Sequence, residues 1–252
     1  MKRSVMILLI LTLALGTITN LTAQDVNRRE KGNLVIEGIP EIPETLKNRM
    51  NQYLNTRSAS FQGWDAEGEG MYITTRFGET GQVHYVDRPG GYRQQLTFFE
   101  EPVAGLSVRP QEENPGFLFS KDIGGNEKYQ IFYFDRKAGT YFMHTDGKSR
   151  NTSFVWSNSG EAYSYISNKR NGRDFDVYVA DMDNPTDPQM VYKAQGYWVP
   201  MDWSNSDNEI LLLNYVSINE SSIHVLNLRT QEVEPIIETE GKVAFGGGAF
   251  DN

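Results

Sequence analysis

The chain has 252 residues, with 24 Lys and Arg against 33 Asp and Glu and a formal net charge of −9. An acidic surface of this kind argues against nucleic acid or anionic lipid as partner, because both reward clustered Lys and Arg. The absence of cysteine excludes a disulfide framework and a thiolate metal site, so apolar burial must carry stability, and aromatics at 12% suit a β-rich core.

Met1-Lys2-Arg3 precedes an apolar run from Val5 to Leu15. Two cations and a short apolar stretch match the opening of a secretory signal, and the run falls short of the roughly 20 residues a membrane span requires. Leu21-Thr22-Ala23 supplies small residues for cleavage, which assigns 1–23 as signal peptide and starts the mature chain near Gln24. The expectation is an exported protein, periplasmic or secreted, with no stable membrane anchor after cleavage. Losing Lys2 and Arg3 takes the charge from −9 to −11.

Residues 24–58 are assigned to an N-terminal arm and a helix. Gln24 to Pro40 is polar without sustained period and reads as a loosely ordered arm. Pro43 to Leu54 reads as one helix, with Pro in its first turn and Leu46, Met50, Tyr53 and Leu54 on one face.

From Ala59 the pattern changes to short alternating runs separated by turn residues. One word recurs: Gln82-Val83-His84-Tyr85-Val86-Asp87, Gln130-Ile131-Phe132-Tyr133-Phe134-Asp135, Asp176-Val177-Tyr178-Val179-Ala180-Asp181 and Ser222-Ile223-His224-Val225-Leu226-Asn227. A period in the forties with strand-like composition signals a radial β-array. Each word is the third strand of a four-strand repeat. First strands end at Trp64, Val108, Trp156 and Trp203, each before a polar turn. Second strands are Met71–Thr75, Phe117–Ser120, Tyr163–Ile166 and Ile210–Leu213, and weak fourth strands are Gln95–Thr97, Thr140–Met143, Gln189–Tyr192 and Val233–Ile237. The predicted fold is all-β. It is a partial β-propeller of four four-stranded antiparallel blades plus the start of a fifth, preceded by one short helix. The incomplete propeller covers 59–252, with blades at about 59–100, 101–147, 148–194 and 195–240 and the next beginning at 241–252, where Lys242-Val243-Ala244-Phe245 reads as a first strand. A serial β-sandwich is the alternative, but it leaves the fixed order of turn, word and weak strand unexplained.

The turn Trp-Ser-Asn-Ser-Gly/Asp (Trp156 to Gly160, Trp203 to Asp207) followed by a strand and a Tyr-x-x-Asp word resembles the PD40 or TolB-like propeller repeat. The helix, Ala59 to Trp64, Arg76-Phe77-Gly78, Gln82-Val83-His84 and Pro89 to Phe99 resemble the N-terminal propeller of secreted bacterial S9 (prolyl oligopeptidase) serine peptidases. Asn168 to Asp176 has the same character. In that family a propeller of seven or eight blades caps an α/β-hydrolase domain and restricts entry to oligopeptides. The resemblance implies a non-catalytic propeller portion, truncated before the hydrolase domain, that gates peptide access and is inactive alone. The alternative is a TolB-like periplasmic binding propeller without enzymatic activity. The expected partner is peptide substrate by way of the missing hydrolase domain, or a protein.

The residues themselves supply no nucleophile elbow. Gly105-Leu106-Ser107-Val108-Arg109 lacks the second glycine of Gly-x-Ser-x-Gly and lies in a first strand. His84 and His224 hold equivalent word positions and read as packing residues, and His144 has no companion. Asp181, Asp183 and Asp187 lack the Gly and Glu of a calcium loop, with Thr186 and Tyr192 in their places, so turn chemistry accounts for them. Gly246-Gly247-Gly248 lacks the Lys and Ser/Thr of a phosphate loop. Sequons at Asn151 and Asn219 carry no weight. No catalytic, cofactor-binding or metal-binding residue is assigned, and no cofactor. Lys169-Arg170-Asn171-Gly172-Arg173 is the densest basic cluster and reads as a solvated loop, with docking to an acidic surface or carboxylate as its functional alternative. Four blades and a stub do not close a ring, so the outer sheets are expected to expose faces that favour self-association.

Overall fold

A computed structural model describes residues 27–251; the signal-peptide assignment lies outside them. Among the described residues no helix is long and apolar enough to cross a membrane. Two compact units are present, one through Asn48 and one from Arg49.

In the first unit the arm is not irregular. Strands β1 (Arg28–Lys31) and β2 (Leu34–Glu37) form an antiparallel hairpin, pairing Arg28 with Glu37 and Lys31 with Leu34. Gly32 at φ 60° makes the tight reversal, and the Arg28 guanidinium reaches Glu37 across the strands at 2.7 Å. Both faces are largely solvent-facing, so the sequence carries no alternation to announce it. The helix α1 (Glu44–Leu54) begins where Leu46 and Lys47 amides bond the Pro43 carbonyl. Its apolar stripe of Leu46, Met50, Tyr53 and Leu54 remains exposed.

The second unit is a β-propeller arc of four sheets, each a four-stranded antiparallel meander in chain order. Blade 1 comprises β3 (Ser60–Trp64), β4 (Met71–Thr75), β5 (Gln82–Val86) and β6 (Gln94–Gln95). Blade 2 comprises β7 (Gly105–Val108), β8 (Gly116–Lys121), β9 (Gln130–Asp135) and β10 (Thr140–Met143). Blade 3 comprises β11 (Asn151–Trp156), β12 (Ala162–Ser167), β13 (Asp176–Asp181) and β14 (Gln189–Tyr192). Blade 4 comprises β15 (Tyr197–Trp203), β16 (Glu209–Ser217), β17 (Glu220–Asn227) and β18 (Val233–Pro235).

Alternation along the central strands divides each blade between two cores. Phe117 and Phe119 of β8 pack toward Tyr72 and Val83 of blade 1, while Leu118 between them packs toward Trp156 and Tyr163 of blade 3. In β13, Tyr178 and Ala180 join the blade 2 side and Val177 the blade 4 side, with Trp198, Trp203 and Ile210. Each of the larger of these side chains contributes about 1.5–3 kcal/mol by leaving water, so a blade without neighbours would forfeit both faces.

Two polar devices fix the spacing. The first is the tryptophan ending the first strand of blades 3 and 4: Trp156 Nε1 donates to Ser107 O at 3.0 Å, and Trp203 Nε1 donates to Val155 O and Ser164 Oγ at 3.2 and 3.0 Å. Each indole thus bonds the first strand of the preceding blade. Val108 stands where blade 2 lacks the tryptophan and instead closes on Gly63, where an added Cβ would come within 3.0 Å of its side chain. The turn that follows needs a left-handed residue four places on, supplied by Gly68, Gly160 and Asp207.

The second device is a buried clasp at the head of the third strand. Gln82 Oε1 accepts from Thr97 Oγ1 and the Phe99 amide, and its Nε2 donates to the carbonyls of Phe99 and Glu101. Gln130 repeats this with Thr145 Oγ1 and the Gly147 amide, and donates to Lys128 O and Ser149 O. In blade 3 the role passes to Asp176, which takes a bidentate Arg170 at 2.8 and 2.9 Å and the Ala194 amide. In blade 4 Ser221 Oγ exchanges bonds with the backbone of Phe245.

Val243 carries on the blade-to-blade link. Its carbonyl accepts from Ser221 N, as Gly196 O accepts from Phe175 N at the entry to β15. The Phe250 amide then donates to Asp202 of β15, and Gly248 lies against Leu211 and Ile223. Residues 243–250 thus run against blade 4 but make no ladder among the described residues.

Candidate functional site

The meander places all first-to-second and third-to-fourth turns at one end of the arc, the turn end. All second-to-third loops and the links between blades fall at the other, the loop end. Side chains from neighbouring blades meet at both, and clefts open at each end.

At the turn end, a cleft of about 370 Å³ opens between blades 1 and 2. Tyr85 Oη donates to Asp65 Oδ2 at 2.7 Å, and Asp65 also accepts the Glu69 and Gly70 amides. The Arg136 guanidinium lies 3.5 Å from the Tyr85 ring centroid, and its Nη1 is 3.4 Å from Tyr72 Oη. Burial, followed by the bond to Asp65, pushes the Tyr85 phenol up to about 12, so at neutral pH it donates a proton to a hydrogen bond and does not act as a base. At the boundary with blade 3, blade 2 supplies a second cation, Arg109, whose Nε donates to Gly160 O at 2.8 Å beside Tyr133 and Trp156. Sequence reading missed both arginines. Each follows a first- or third-strand end by one residue, a position that becomes informative only when neighbouring blades are set side by side.

At the loop end, the basic stretch Lys169–Arg173 divides. Arg170 is locked to Asp176 and Asp174, and Arg173 to Asp174. The Asn171 amide, then Arg173 and the Gly196 amide, hold the Asp174 carboxyl far below the usual range. Two of the three cations thus neutralise the protein's own carboxylates. Lys169 is the third, and its Nζ enters no ion pair among the described residues. It lines a cleft of about 400 Å³ with Lys128 from the β8–β9 loop and Lys148 and Arg150 from the link between blades 2 and 3. Sequence reading had only Lys169 of these four.

The histidines do not converge. His84 is fully buried, with Nδ1 3.0 Å from its own strand's Gln82 O and the ring 5.0 Å from Phe77. His224 bonds Ser222 Oγ and rests 4.8 Å from Trp198. Both equivalent positions therefore face an aromatic side chain. His144 lies between the rings of Tyr133 and Tyr163, with Nδ1 3.0 Å from Tyr163 Oη. Burial lowers it to about 4. Asp181 Oδ1 accepts the Asp183 amide, and the Asn184 and Asp187 amides close successive turns. Asn151 is buried, its amide group donating to Tyr129 O and Ser149 O, which removes it from any glycosylating enzyme.

No family model matches the sequence, and no curated protein does. Solved structures do match in fold. TolB from Acinetobacter baumannii superposes with a TM-score of 0.54 at 16% identity, covering 74% of this chain and 45% of its own. An oligogalacturonate lyase from Vibrio parahaemolyticus gives 0.58 at 12%, covering 73% and 53%. A structure described among two prolyl endopeptidases gives 0.59 at 10%, covering 87% and 40%. The chain spans about half the length of these structures or less. What it shares with TolB and with peptidase-associated propellers is the β-propeller fold.

Proposed function

We propose that this chain is a non-catalytic binding propeller of the TolB-like kind, exported and presenting the ends of its blades to a protein partner. The observation supporting this reading is where the polar side chains gather: in clefts at blade boundaries, walled by loops and turns from two blades, where an extended segment can lie across the sheet ends. Scanning a library of unmodified peptides over the immobilised chain tests it. Saturable binding with peptides recovered intact is the expected result. Cleavage that a serine-directed inhibitor blocks would refute it.

A second reading makes the same arc the gating propeller of an S9-type serine peptidase. Favouring it are the first-blade resemblance and the 87% coverage by the prolyl endopeptidase structure. The attack on a peptide carbonyl would then belong to a Ser-His-Asp hydrolase domain. Reading the gene beyond the Asn252 codon separates the two: a Gly-x-Ser-x-Gly elbow there supports gating, and further blades alone support binding.

A further inference from the structure

We infer that the loop-end cleft between blades 2 and 3 is a receptor for a short acidic peptide segment, with Lys128, Lys148, Arg150 and Lys169 as its cationic walls. The inference rests on the binding reading above and specifies the chemistry of its partner. Three chain segments, from Lys128 to Lys169, deliver these cations to one cleft of about 400 Å³. All four side chains are exposed. Glu127 is the carboxylate among the cleft's lining residues. None of the four cations enters an ion pair among the described residues, although Arg170, Arg173 and Lys121 nearby all do. Asp146, the closest further carboxylate by sequence, accepts from Ser149 Oγ and the amides of Lys148 and Ser149. Its charge is felt by Lys169, but without an ion pair, and it compensates one of the four cations in part.

Gathering four like charges around one cleft raises the free energy of the empty protein through mutual repulsion, and a bound anion relieves it. A chain with net charge −9 repels a long polyanion over its whole surface. Within a screening length of about 8 Å at physiological salt, a short acidic segment senses only the cleft. That favours a few Asp or Glu side chains on a peptide over a nucleic acid or an anionic membrane. The carboxylates would take charge-assisted hydrogen bonds from the three ammonium groups and the guanidinium.

The cleft is also held in shape. Gln130 Nε2 donates to Lys128 O and to Ser149 O, anchoring two of the walls from inside the blade, and the Arg150 amide donates to Asn168 Oδ1 of the third. The cations therefore ride on fixed backbone.

Fluorescence anisotropy with the full chain and a labelled peptide carrying four consecutive Glu and Asp, against its Gln and Asn counterpart, tests the inference. The acidic peptide should bind saturably and the neutral one at least about tenfold more weakly. Raising salt from about 0.1 to 1 M, which shortens the screening length from about 10 to 3 Å, should abolish the difference. Each exposed cation is worth up to about fivefold, so Lys148→Glu with Lys169→Glu should lose at least about tenfold, and the Lys148→Gln, Lys169→Gln pair should lose less. Arg229→Glu, on the exposed β17–β18 turn at the opposite end, should leave affinity unchanged. Thermal melts matching the parent establish that the variants fold. Equal loss in Arg229→Glu, no preference for the acidic peptide, or tighter binding of an oligonucleotide or a phosphatidylglycerol vesicle to the same four residues would each overturn the inference. Peptides that bind regardless of charge and of these variants would sink this site and leave the binding reading standing.

Discussion

Replacing Gln130 by Glu tests the clasp that joins fold to site. Gln130 is buried, and its Nε2 donates to Lys128 O at 2.9 Å and Ser149 O at 2.7 Å. Glutamate keeps the shape and the acceptor facing Thr145, Gly147 and Asn151. It removes both donors and aims an oxygen at two carbonyls. Ser149 O keeps the Asn151 Nδ2 donor, but Lys128 O loses its side-chain donor at a cost of about 1–3 kcal/mol, so the variant should lose at least about 1–3 kcal/mol at pH 7. Burial and the facing carbonyls both oppose ionisation, so the folded-state pKa of the new carboxyl lies above its unfolded value. The folded state then holds the extra proton. The penalty is smallest below the unfolded pKa of about 4.3 and grows as pH rises through the folded value. Denaturant midpoints of variant and parent, compared from pH 4 to 8, report the difference. Equal stability at pH 7, or a loss that does not shrink toward pH 4, would refute the clasp as described.

His144 lowered to about 4 by burial binds a proton in the unfolded chain before the folded one. Its contribution is full above pH 6.5 and falls away toward pH 4, an upper limit of about 3 kcal/mol, and His144→Gln should flatten the parent's stability profile across that window. Trp203→Phe leaves Val155 O and Ser164 Oγ without the indole donor and should destabilise the blade 3–blade 4 contact by about 1–3 kcal/mol, read as faster hydrogen exchange in β15. Trp64→Phe should cost less than about 0.5 kcal/mol in the same assay, since Trp64 is 54% exposed. Gly116→Ala should be among the worst single changes, because its Cβ would fall 2.5 Å from Phe134 O and 2.3 Å from Tyr133 Oη. A melting temperature within a degree of the parent would contradict that geometry.

The blades were legible because the third-strand words are buried on both faces, and a doubly buried strand must write its pattern into sequence. Strand ends were less so: β16 continues to Ser217 and β6 shrinks to Gln94–Gln95, since ladder length depends on the partner strand and edges leave no apolar trace. The hairpin β1–β2 went unseen because its faces are exposed. The basic stretch Lys169–Arg173 looked like one patch, yet Arg170 and Arg173 are spent on Asp174 and Asp176. Pairing is a matter of three-dimensional neighbours, and a count of charges along the chain cannot separate a neutralised arginine from a free lysine.

The same division explains why a binding surface on this fold would fall on the ends of the blades and not their faces. Faces are consumed in packing: Phe117 and Leu118, adjacent in sequence, already serve opposite neighbours. A substitution there is felt on two sides of a sheet, which leaves little freedom for recognition. At the loop end the backbone is fixed from within by Gln82, Gln130 and Asp176, each bonding the link into the next blade, so outward side chains can vary without disturbing the core. Lys128 and Lys148 sit on the very segments whose carbonyls and amides Gln130 holds. If the cleft is a receptor, Gln130→Glu should weaken acidic-peptide binding as well as stability, although Gln130 contacts no ligand. Because the peptide's own carboxylates lose charge near pH 4, affinity is compared with the parent at each pH from about 8 to 5.5. A variant-to-parent gap in affinity that narrows together with the gap in stability would tie the two to one clasp. Recovery of stability without affinity would place the cleft's shape under some other control.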